Sequence, residues 1–281
     1  MARRNRLDVE LVRRGLARSR DQAADLVAAG LVRVRGAPAR KPASLVDPAD
    51  AIQVREARAG PAYVSRGGGK LAGALAEFAP DGLAVSGRRC LDAGASTGGF
   101  TDVLLRAGAA EVVAVDVGYG QLAWSMRTDP RVRVYERTNV RTLTPEIVGG
   151  AVSLTVADLS FISLRLVLPA LAGCTEPDGD LVVMVKPQFE AGRERLGAGG
   201  VVRAPRVRAG TVLDVAHAGA ALGLGVAGLA ASPLPGPAGN VEFFLWLRRG
   251  APPADPGRVR AVTGAVEGGA DGSGAERAGS R

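Results

Sequence analysis

Between residues 63 and 250, short apolar runs of strand length alternate with helical segments. Two of the helical segments cover residues 100–107 and 163–172. Strands that alternate with helices usually pair in parallel and are covered on both faces. The pattern therefore predicts an α/β fold with a mainly parallel sheet. Its candidate strands are residues 88–95, 111–117, 132–136, 152–159, 180–186, 224–230 and 241–247.

Residues 1 to about 60 form a separate block with two predicted helices. Leu7 and Leu11 lie four residues apart on one face of the first helix, and Gly15 is placed to end it. Ser19 offers an N-cap for a second helix over residues 20–29. Short alternating strands are predicted after the helices, at residues 31–35 and 51–55.

Changes in composition mark the predicted domain boundaries. We predict a small α+β domain over residues 1–59, a linker over 60–64, the α/β domain over 65–250 and a tail over 251–281. The tail is rich in glycine, alanine, proline and charged residues and has little apolar periodicity. Such a segment buries too little apolar surface to fold, so we expect it to be disordered.

Positive charge is concentrated in the first block. The chain has 36 Lys+Arg and 28 Asp+Glu, a formal charge of +8, and the first 60 residues hold 13 basic and 7 acidic residues, a net +6. This concentration is typical of a domain that binds a phosphate backbone, although a solvated helix face would also carry it. The candidate contacts with such a phosphate backbone are Arg4, Arg6, Arg18, Arg20 and Lys41.

Composition excludes several classes of protein. Cys90 and Cys174 are isolated, which excludes a disulfide framework and a thiolate zinc site. His217 is the only histidine, so we expect no metal. The first residues lack the apolar run of a secretion signal, and glycines interrupt the most apolar stretch, residues 215–230. We therefore expect a cytoplasmic protein that has no membrane partner.

The strongest local signal for a ligand runs from Cys90 to Asp102. An apolar strand leads into a glycine-rich turn that contains Gly94 and Gly98, and the free N–H groups of the following helix face that turn. Asp116 closes the next strand, where a carboxylate can accept both hydroxyls of a ribose. These features predict a nucleoside cofactor.

Two details favour S-adenosylmethionine over a nicotinamide cofactor, which remains the alternative at this point. The dinucleotide fingerprint has three glycines in G-x-G-x-x-G, whereas Gly94 is followed by Ala-Ser-Thr before Gly98. In addition, the carboxylate of Asp92 at the strand end suits the amino group of a methionine-derived ligand better than a pyrophosphate.

Charged residues stand at predicted strand ends, where the reaction site of an open parallel sheet lies. These residues are Asp158, Lys186 and Glu242, and Lys70 precedes the helix that leads into the sheet. Only three of the 36 basic residues are lysines, the third being Lys41. Each charge alone could be a surface or paired group. Together they predict a reaction site that needs amines, because an amine loses its proton more readily than a guanidinium.

Six segments carry a more specific resemblance. They read YVSRGGGKL from residue 63, DAGASTGGFTD from 92, DVGYGQL from 116, DLSFISL from 158, KPQFE from 186 and GNVEFF from 239. In this order they resemble the TlyA family, also labelled hemolysin A, of ribosomal-RNA 2′-O-methyltransferases. The first block is similar to the S4-like RNA-binding domain of that family, and the similarity spans residues 5–249.

The resemblance implies a Rossmann-like methyltransferase domain with a seven-stranded, mainly parallel sheet behind an S4-like domain. It implies an FtsJ-type catalytic tetrad of Lys70, Asp158, Lys186 and Glu242. Cofactor contacts with S-adenosylmethionine are implied at Asp92, Gly94, Ser96, Thr97, Gly98, Asp116 and Asn139. The implied substrate is ribosomal RNA of the 16S or 23S type, or both, methylated on the ribose of cytidine.

Within this site we expect Lys186 to take the proton of a ribose 2′-hydroxyl during in-line transfer, without metal. Three departures from the family pattern stand out. Arg35 replaces the usual Asn before Gly36, Ala204 replaces a common Asp, and residues 59–62 form an unusual linker.

Two other classes of function stay open. A membrane-lytic hemolysin would need an amphipathic or spanning apolar segment, and the sequence offers none that is convincing. A non-catalytic ribosome-assembly factor would keep the basic block and have no cofactor chemistry. Pseudouridine synthases also carry an S4-like block, but they use a different fold and a catalytic aspartate.

Overall fold

The computed structural model describes residues 4–17, 19–28, 30–54, 63–236 and 238–264. The chain divides into two compact units, residues 1–62 and 63–281, and each is described by itself. Tyr63 and Val64 belong to the second unit rather than to the predicted linker, because the Val64 N–H donates to the Asp102 carboxylate at 3.0 Å. The rest of that linker, residues 60–62, lies outside the described residues.

The first unit packs two helices against short antiparallel strands. Its strands are β1 (Asn5–Arg6), β2 (Val32–Val34), β3 (Ala37–Pro38), β4 (Leu45–Val46) and β5 (Ile52–Val54), and its helices are α1 (Leu7–Arg13) and α2 (Arg20–Ala28). β1 pairs with β4, and β2 lies between β3 and β5. Leu7, Leu11, Ala23, Val27 and Val32 form the core of the unit.

Local sequence signals account for the helix ends of the first unit. The Ser19 hydroxyl accepts a hydrogen bond from the Gln22 N–H at 3.1 Å, which confirms the predicted N-cap. Gly15 and Gly30 follow the two helices with φ of +70° and +69°. Arg35 also has positive φ, +52°, in the tight turn between β2 and β3. Asn adopts that conformation more readily than Arg. The departure from the usual Asn to Arg at position 35 therefore concerns the backbone of this turn.

The second unit is a sheet with helices on both faces. Its helices are α3 (Arg66–Phe78), α4 (Gly99–Arg106), α5 (Trp124–Arg127), α6 (Leu168–Cys174), α7 (Pro187–Glu190), α8 (Pro205–Ala220) and α9 (Pro256–Gly264). Its strands are β6 (Arg89–Ala93), β7 (Glu111–Val115), β8 (Val132–Tyr135), β9 (Val152–Ala157), β10 (Thr175–Val185), β11 (Leu224–Ala231) and β12 (Phe243–Arg249).

In the described part of the chain these seven strands form one sheet, in the order β11-β12-β10-β9-β6-β7-β8. Within this sheet β12 runs antiparallel to both of its neighbours, β10 and β11, and the other adjacent strands pair in parallel. The predicted fold class is confirmed. Adjacent residues of β6 face opposite layers: Cys90 belongs to the core that contains Phe78 and Trp246, whereas Leu91 belongs to the core that contains Val183. Both faces are therefore buried, as the apolar strands predicted.

The predicted disorder of the tail is wrong for residues 256–264, which form α9. Val259 is 2% exposed and joins the core on one face of the sheet, with Ala254 and Val262 packed against that core. The Val226 N–H also donates to the carbonyl of Pro252 at 2.7 Å, so this segment covers part of the edge strand β11. Residues 265–281 lie outside the described residues.

The apolar stretch over residues 215–230 divides into the end of α8 and the strand β11. Within the described ranges, none of the helices combines the length and the apolar character needed to cross a membrane.

Candidate active site

The sheet brings three of the predicted tetrad residues to one edge. Asp158 follows β9, Lys186 follows β10, and Glu242 precedes β12. β10 lies between the other two strands, and Val185 pairs with Phe243, so Lys186 and Glu242 continue the same register. Because β12 is antiparallel, its first residue meets the carboxyl ends of β9 and β10.

The tetrad forms two ion pairs. The Nζ of Lys186 lies 2.5 Å from Oδ1 of Asp158, and the Nζ of Lys70, on α3, lies 2.5 Å from Oε2 of Glu242. Lys70 is 6% exposed, Lys186 9% and Glu242 1%. Charges this deeply buried are stable only when they are closely paired, so each carboxylate holds one amine in place.

Sequence reasoning did not single out Ser160, which the structure adds to the site. Its hydroxyl accepts a hydrogen bond from the Lys186 amine at 3.1 Å. Ser160 lies two residues after Asp158, in the segment DLSFISL that resembles the family, but its contact with Lys186 depends on how the loop folds back. Lys186 therefore has two oxygen partners on one loop.

Asp92, in β6, has the features expected of a residue that holds a cationic group. It is fully buried, and its Oδ2 accepts a hydrogen bond from the Thr101 hydroxyl at 2.7 Å. Its Oδ1 has no hydrogen-bond partner among the described residues. Burial raises the pKa of Asp92 to about 7, against the opposing effect of Thr101. A buried carboxylate oxygen without a partner suits a cationic ligand.

The turn after β6 needs glycine at two places. Gly94 has φ of +89°, and a Cβ there would lie 2.5 Å from the carbonyl oxygen of Asp158. Gly98 has φ of +95°, and a Cβ there would lie 2.9 Å from Leu122 and Met126. The turn therefore packs directly against the backbone of the loop that carries Asp158. The predicted cofactor site lies beside the predicted reaction site as a result.

Asp116 joins the turn to the loop after β7. Its Oδ2 accepts from the Ser96 N–H at 2.8 Å and its Oδ1 from the Gly118 N–H at 2.6 Å. A small cavity lies at this place. Its lining includes the apolar residues Ala95, Ala114, Leu122 and Val134 and the polar residues Ser96, Asp116, Gln121 and Glu136. Gln121 and Glu136 were not predicted as site residues.

Two predicted cofactor residues are not part of the described lining of this cavity. Thr97 is exposed, and its carbonyl accepts from the Ala123 N–H at 3.2 Å. The Oδ1 of Asn139 accepts from the Arg141 N–H at 3.0 Å, so it caps the short 3₁₀ helix Val140–Thr142.

The predicted RNA contacts lie in the first unit. The guanidinium groups of Arg6 and Arg20 both pair with Asp8, at 2.9 and 3.1 Å. Asp8 is buried, and its pKa lies well below its usual range because of the hydrogen bonds from Arg6 and, to a smaller extent, from Arg20. This carboxylate therefore gathers two largely exposed arginines into one cationic surface. Arg4 and Lys41 are exposed, and Arg18 lies outside the described residues.

Over the described residues, no group of three or more His, Cys, Asp or Glu side chains is arranged to hold a metal ion. The site therefore contains two buried amines with carboxylate partners, and it lies beside a turn suited to a nucleoside.

Two family models match the chain, one in each unit. The S4 domain matches residues 5–52, and the FtsJ-like methyltransferase matches residues 63–249. Together with the sheet order and the glycine-rich turn, these matches define the class of the protein as a methyltransferase of the FtsJ-like type with an S4 domain.

The chain is 64% identical over 248 residues to a Mycobacterium tuberculosis protein named 16S/23S rRNA (cytidine-2′-O)-methyltransferase TlyA. The matched region covers 88% of this chain and 91% of that protein. It is 36% identical to Hemolysin A of Brachyspira hyodysenteriae, over 85% of this chain and 98% of that protein. A solved hemolysin-type structure from Streptococcus thermophilus has a TM-score of 0.75 at 40% identity, over 95% of this chain and 97% of that chain. This chain belongs to the TlyA family.

Proposed function

We propose that this protein transfers a methyl group from S-adenosylmethionine to the 2′-hydroxyl of a cytidine in ribosomal RNA of the 16S type, the 23S type or both. The observation that carries the proposal is the placement of the Lys186–Asp158 pair against the glycine-rich turn, where a Cβ on Gly94 would meet the Asp158 carbonyl. The Mycobacterium tuberculosis relative is named for this reaction.

The residues around the turn fit the cofactor. The free, buried Oδ1 of Asp92 suits the amino group of its methionine part, and Asp116 suits the ribose hydroxyls. Gly94 and Gly98 allow a ligand to approach the backbone, and Ser96, Thr97 and Asn139 border this space in our proposal. When bound, S-adenosylmethionine supplies a methyl group on a positively charged sulfur.

Lys186 acts as the proton acceptor in this proposal. Lys186 would first release a proton from its ion-paired amine to solvent, and Nζ would then take the proton of the ribose hydroxyl while S-adenosylmethionine would supply the methyl group to the ribose oxygen. Asp158 and Ser160 hold Nζ in position through contacts of 2.5 and 3.1 Å. The Lys70–Glu242 pair fixes the neighbouring wall of the site.

The basic first unit binds the RNA in this proposal, through Arg4, Arg6, Arg18, Arg20 and Lys41. We therefore expect the protein to act in the cytoplasm, where ribosomal subunits are found.

The test is transfer of a tritiated methyl group from S-adenosylmethionine onto separated, unmethylated ribosomal subunits, followed by mapping of the modified nucleotide. We expect label on the ribose of a cytidine. Label on a base, or no label on either subunit, would contradict the proposal. Leakage of liposomes at submicromolar protein would favour the membrane-lytic alternative.

A further inference from the structure

Three sets of contacts join the segment that carries Lys186 to the loop that carries Asp158. The first is made by Lys186, which pairs with Asp158 and donates a hydrogen bond to Ser160. The second is the ring of Phe189, which packs on Phe161 with centroids 5.1 Å apart. The third is made by Glu190, at the end of α7, and neither the proposed reaction nor the cofactor site uses it.

Glu190 is buried, with 4% of its surface exposed, and both of its carboxylate oxygens contact the loop. Oε2 accepts from the Ser163 hydroxyl at 2.5 Å, and Oε1 accepts from the Leu164 N–H at 2.7 Å. Burial raises the pKa of Glu190, against the opposing effect of these two donors. One side chain therefore fixes two consecutive residues of the loop.

The loop depends on such contacts for its shape. From Asp158 to Ser163 it forms neither helix nor strand. Phe161 has φ of +64°, a conformation that costs free energy for a residue other than glycine, and its side chain is 91% exposed. Because burial of Phe161 contributes little, contacts from outside the loop hold this conformation, and those of Glu190 are among them.

We propose that Glu190 is a positioning residue for methyl transfer. By holding Ser163 and Leu164, it fixes the loop so that Asp158 meets the amine of Lys186. Glu190 does not itself touch a reacting atom in this arrangement. The inference rests on the proposed function, because it assumes that the placement of Lys186 limits turnover.

Three variants separate positioning from general support of the fold. Glu190→Ala removes both acceptors and leaves a buried N–H without a partner. Glu190→Gln keeps them in another form, because its amide oxygen can accept from the Leu164 N–H while its NH₂ donates to the Ser163 hydroxyl. Ser163→Ala removes the contact with Glu190 and also the two hydrogen bonds that the Ser163 hydroxyl accepts from Arg165. Glu176→Ala is the control, since Glu176 is an exposed carboxylate at the far end of β10.

The readouts are kcat on ribosomal subunits and the Kd for S-adenosylmethionine, both measured with the full chain. We expect Glu190→Ala to lower kcat by at least about tenfold, as a small misplacement of a reacting group does. Its Kd should stay within about twofold, because Asp92 lies in β6 and Asp116 follows β7. Glu190→Gln and the control should keep kcat within about threefold.

A double variant tests the route of the effect. If Glu190 acts through Ser163, adding Ser163→Ala to Glu190→Ala lowers kcat by a smaller factor than Ser163→Ala does in the wild type. A kcat of Glu190→Ala equal to that of the wild type would overturn the inference and leave the proposed function standing. An equal loss of kcat and cofactor affinity would also overturn it, since that result indicates a general structural role. Absence of methyl transfer by the wild type would instead overturn the proposed function, and the inference with it.

Discussion

The amine of Lys70 meets the carboxylate of Glu242 at 2.5 Å, across 172 positions of sequence and with both side chains buried. The contact ties helix α3 to the start of β12. A pair of this kind stabilises the fold only while both partners are present, because a buried charge without its partner carries a large desolvation cost.

Removal of one partner of this pair should therefore destabilise the protein strongly. We expect Lys70→Met to lower the free energy of unfolding by about 3–5 kcal/mol in urea titrations. Adding Glu242→Met should recover most of that loss, while methyl transfer stays absent in both variants. A double variant no more stable than Lys70→Met would show that the pair is not the source of the cost.

Cofactor affinity should depend on pH through Asp92. Burial raises the pKa of Asp92 to about 7, so the free protein holds this carboxyl largely neutral below pH 7 and ionised above it. The amino group of S-adenosylmethionine is cationic and favours the ionised form. The Kd should therefore fall as pH rises from 6 to 8, as measured by isothermal titration calorimetry. Asp92→Asn is the control, since this variant should bind the cofactor with a larger Kd that does not depend on pH. A wild-type Kd that stays constant from pH 6 to 8 would exclude the role of Asp92.

Substitution of Ala204 by Asp, the residue common at this position in the family, should stabilise helix α8. Ala204 is the N-cap of α8 and makes no side-chain hydrogen bond there, whereas Asp could accept one from the first turn. We expect Ala204→Asp to raise the free energy of unfolding by about 1 kcal/mol, measured by chemical denaturation. The matched control is Ala221→Asp at the other end of α8, where a negative charge should be neutral or destabilising. Equal effects at both ends would argue against capping.

Binding of RNA should depend on the arginines gathered by Asp8. The double variant Arg6→Glu and Arg20→Glu should weaken RNA binding and reduce the slope of log K against log salt by up to about two, because two phosphate contacts are lost. Filter binding at several salt concentrations measures this slope. Cofactor affinity, measured in parallel, should not change. An RNA affinity that is unaltered at both low and high salt would remove these residues from the RNA-binding surface.

The sequence predicted the elements whose signals are local. Apolar runs identified the strands of the large sheet, and Ser19 and Gly15 identified helix ends, because capping acts over a few residues. β1, β3 and β4 were missed, since two residues are too few to show alternation. Helix α9 was missed because its apolar residues are sparse and gain their role only by packing on the sheet.

For the candidate site too, the sequence predicted what depends on local signals and missed what depends on packing. Asp158, Lys186 and Glu242 could be predicted from their places at strand ends, where a parallel sheet gathers side chains. Their pairing could not, because it depends on where α3 packs and how the loop after β9 folds back. The contacts of Ser160 and Glu190 with distant segments were invisible for the same reason. Asn139 remains a predicted cofactor contact, and its observed role is to cap a 3₁₀ helix.

The central claim is that Lys186 accepts the proton of a ribose hydroxyl during methyl transfer. The most direct measurement compares the wild type with Lys186→Ala in single-turnover transfer of a tritiated methyl group to unmethylated ribosomal subunits, with the Kd for S-adenosylmethionine measured in parallel. The account predicts that Lys186→Ala binds the cofactor within about twofold of the wild type and transfers at least about a hundredfold more slowly. Transfer by Lys186→Ala at a rate close to that of the wild type would contradict it.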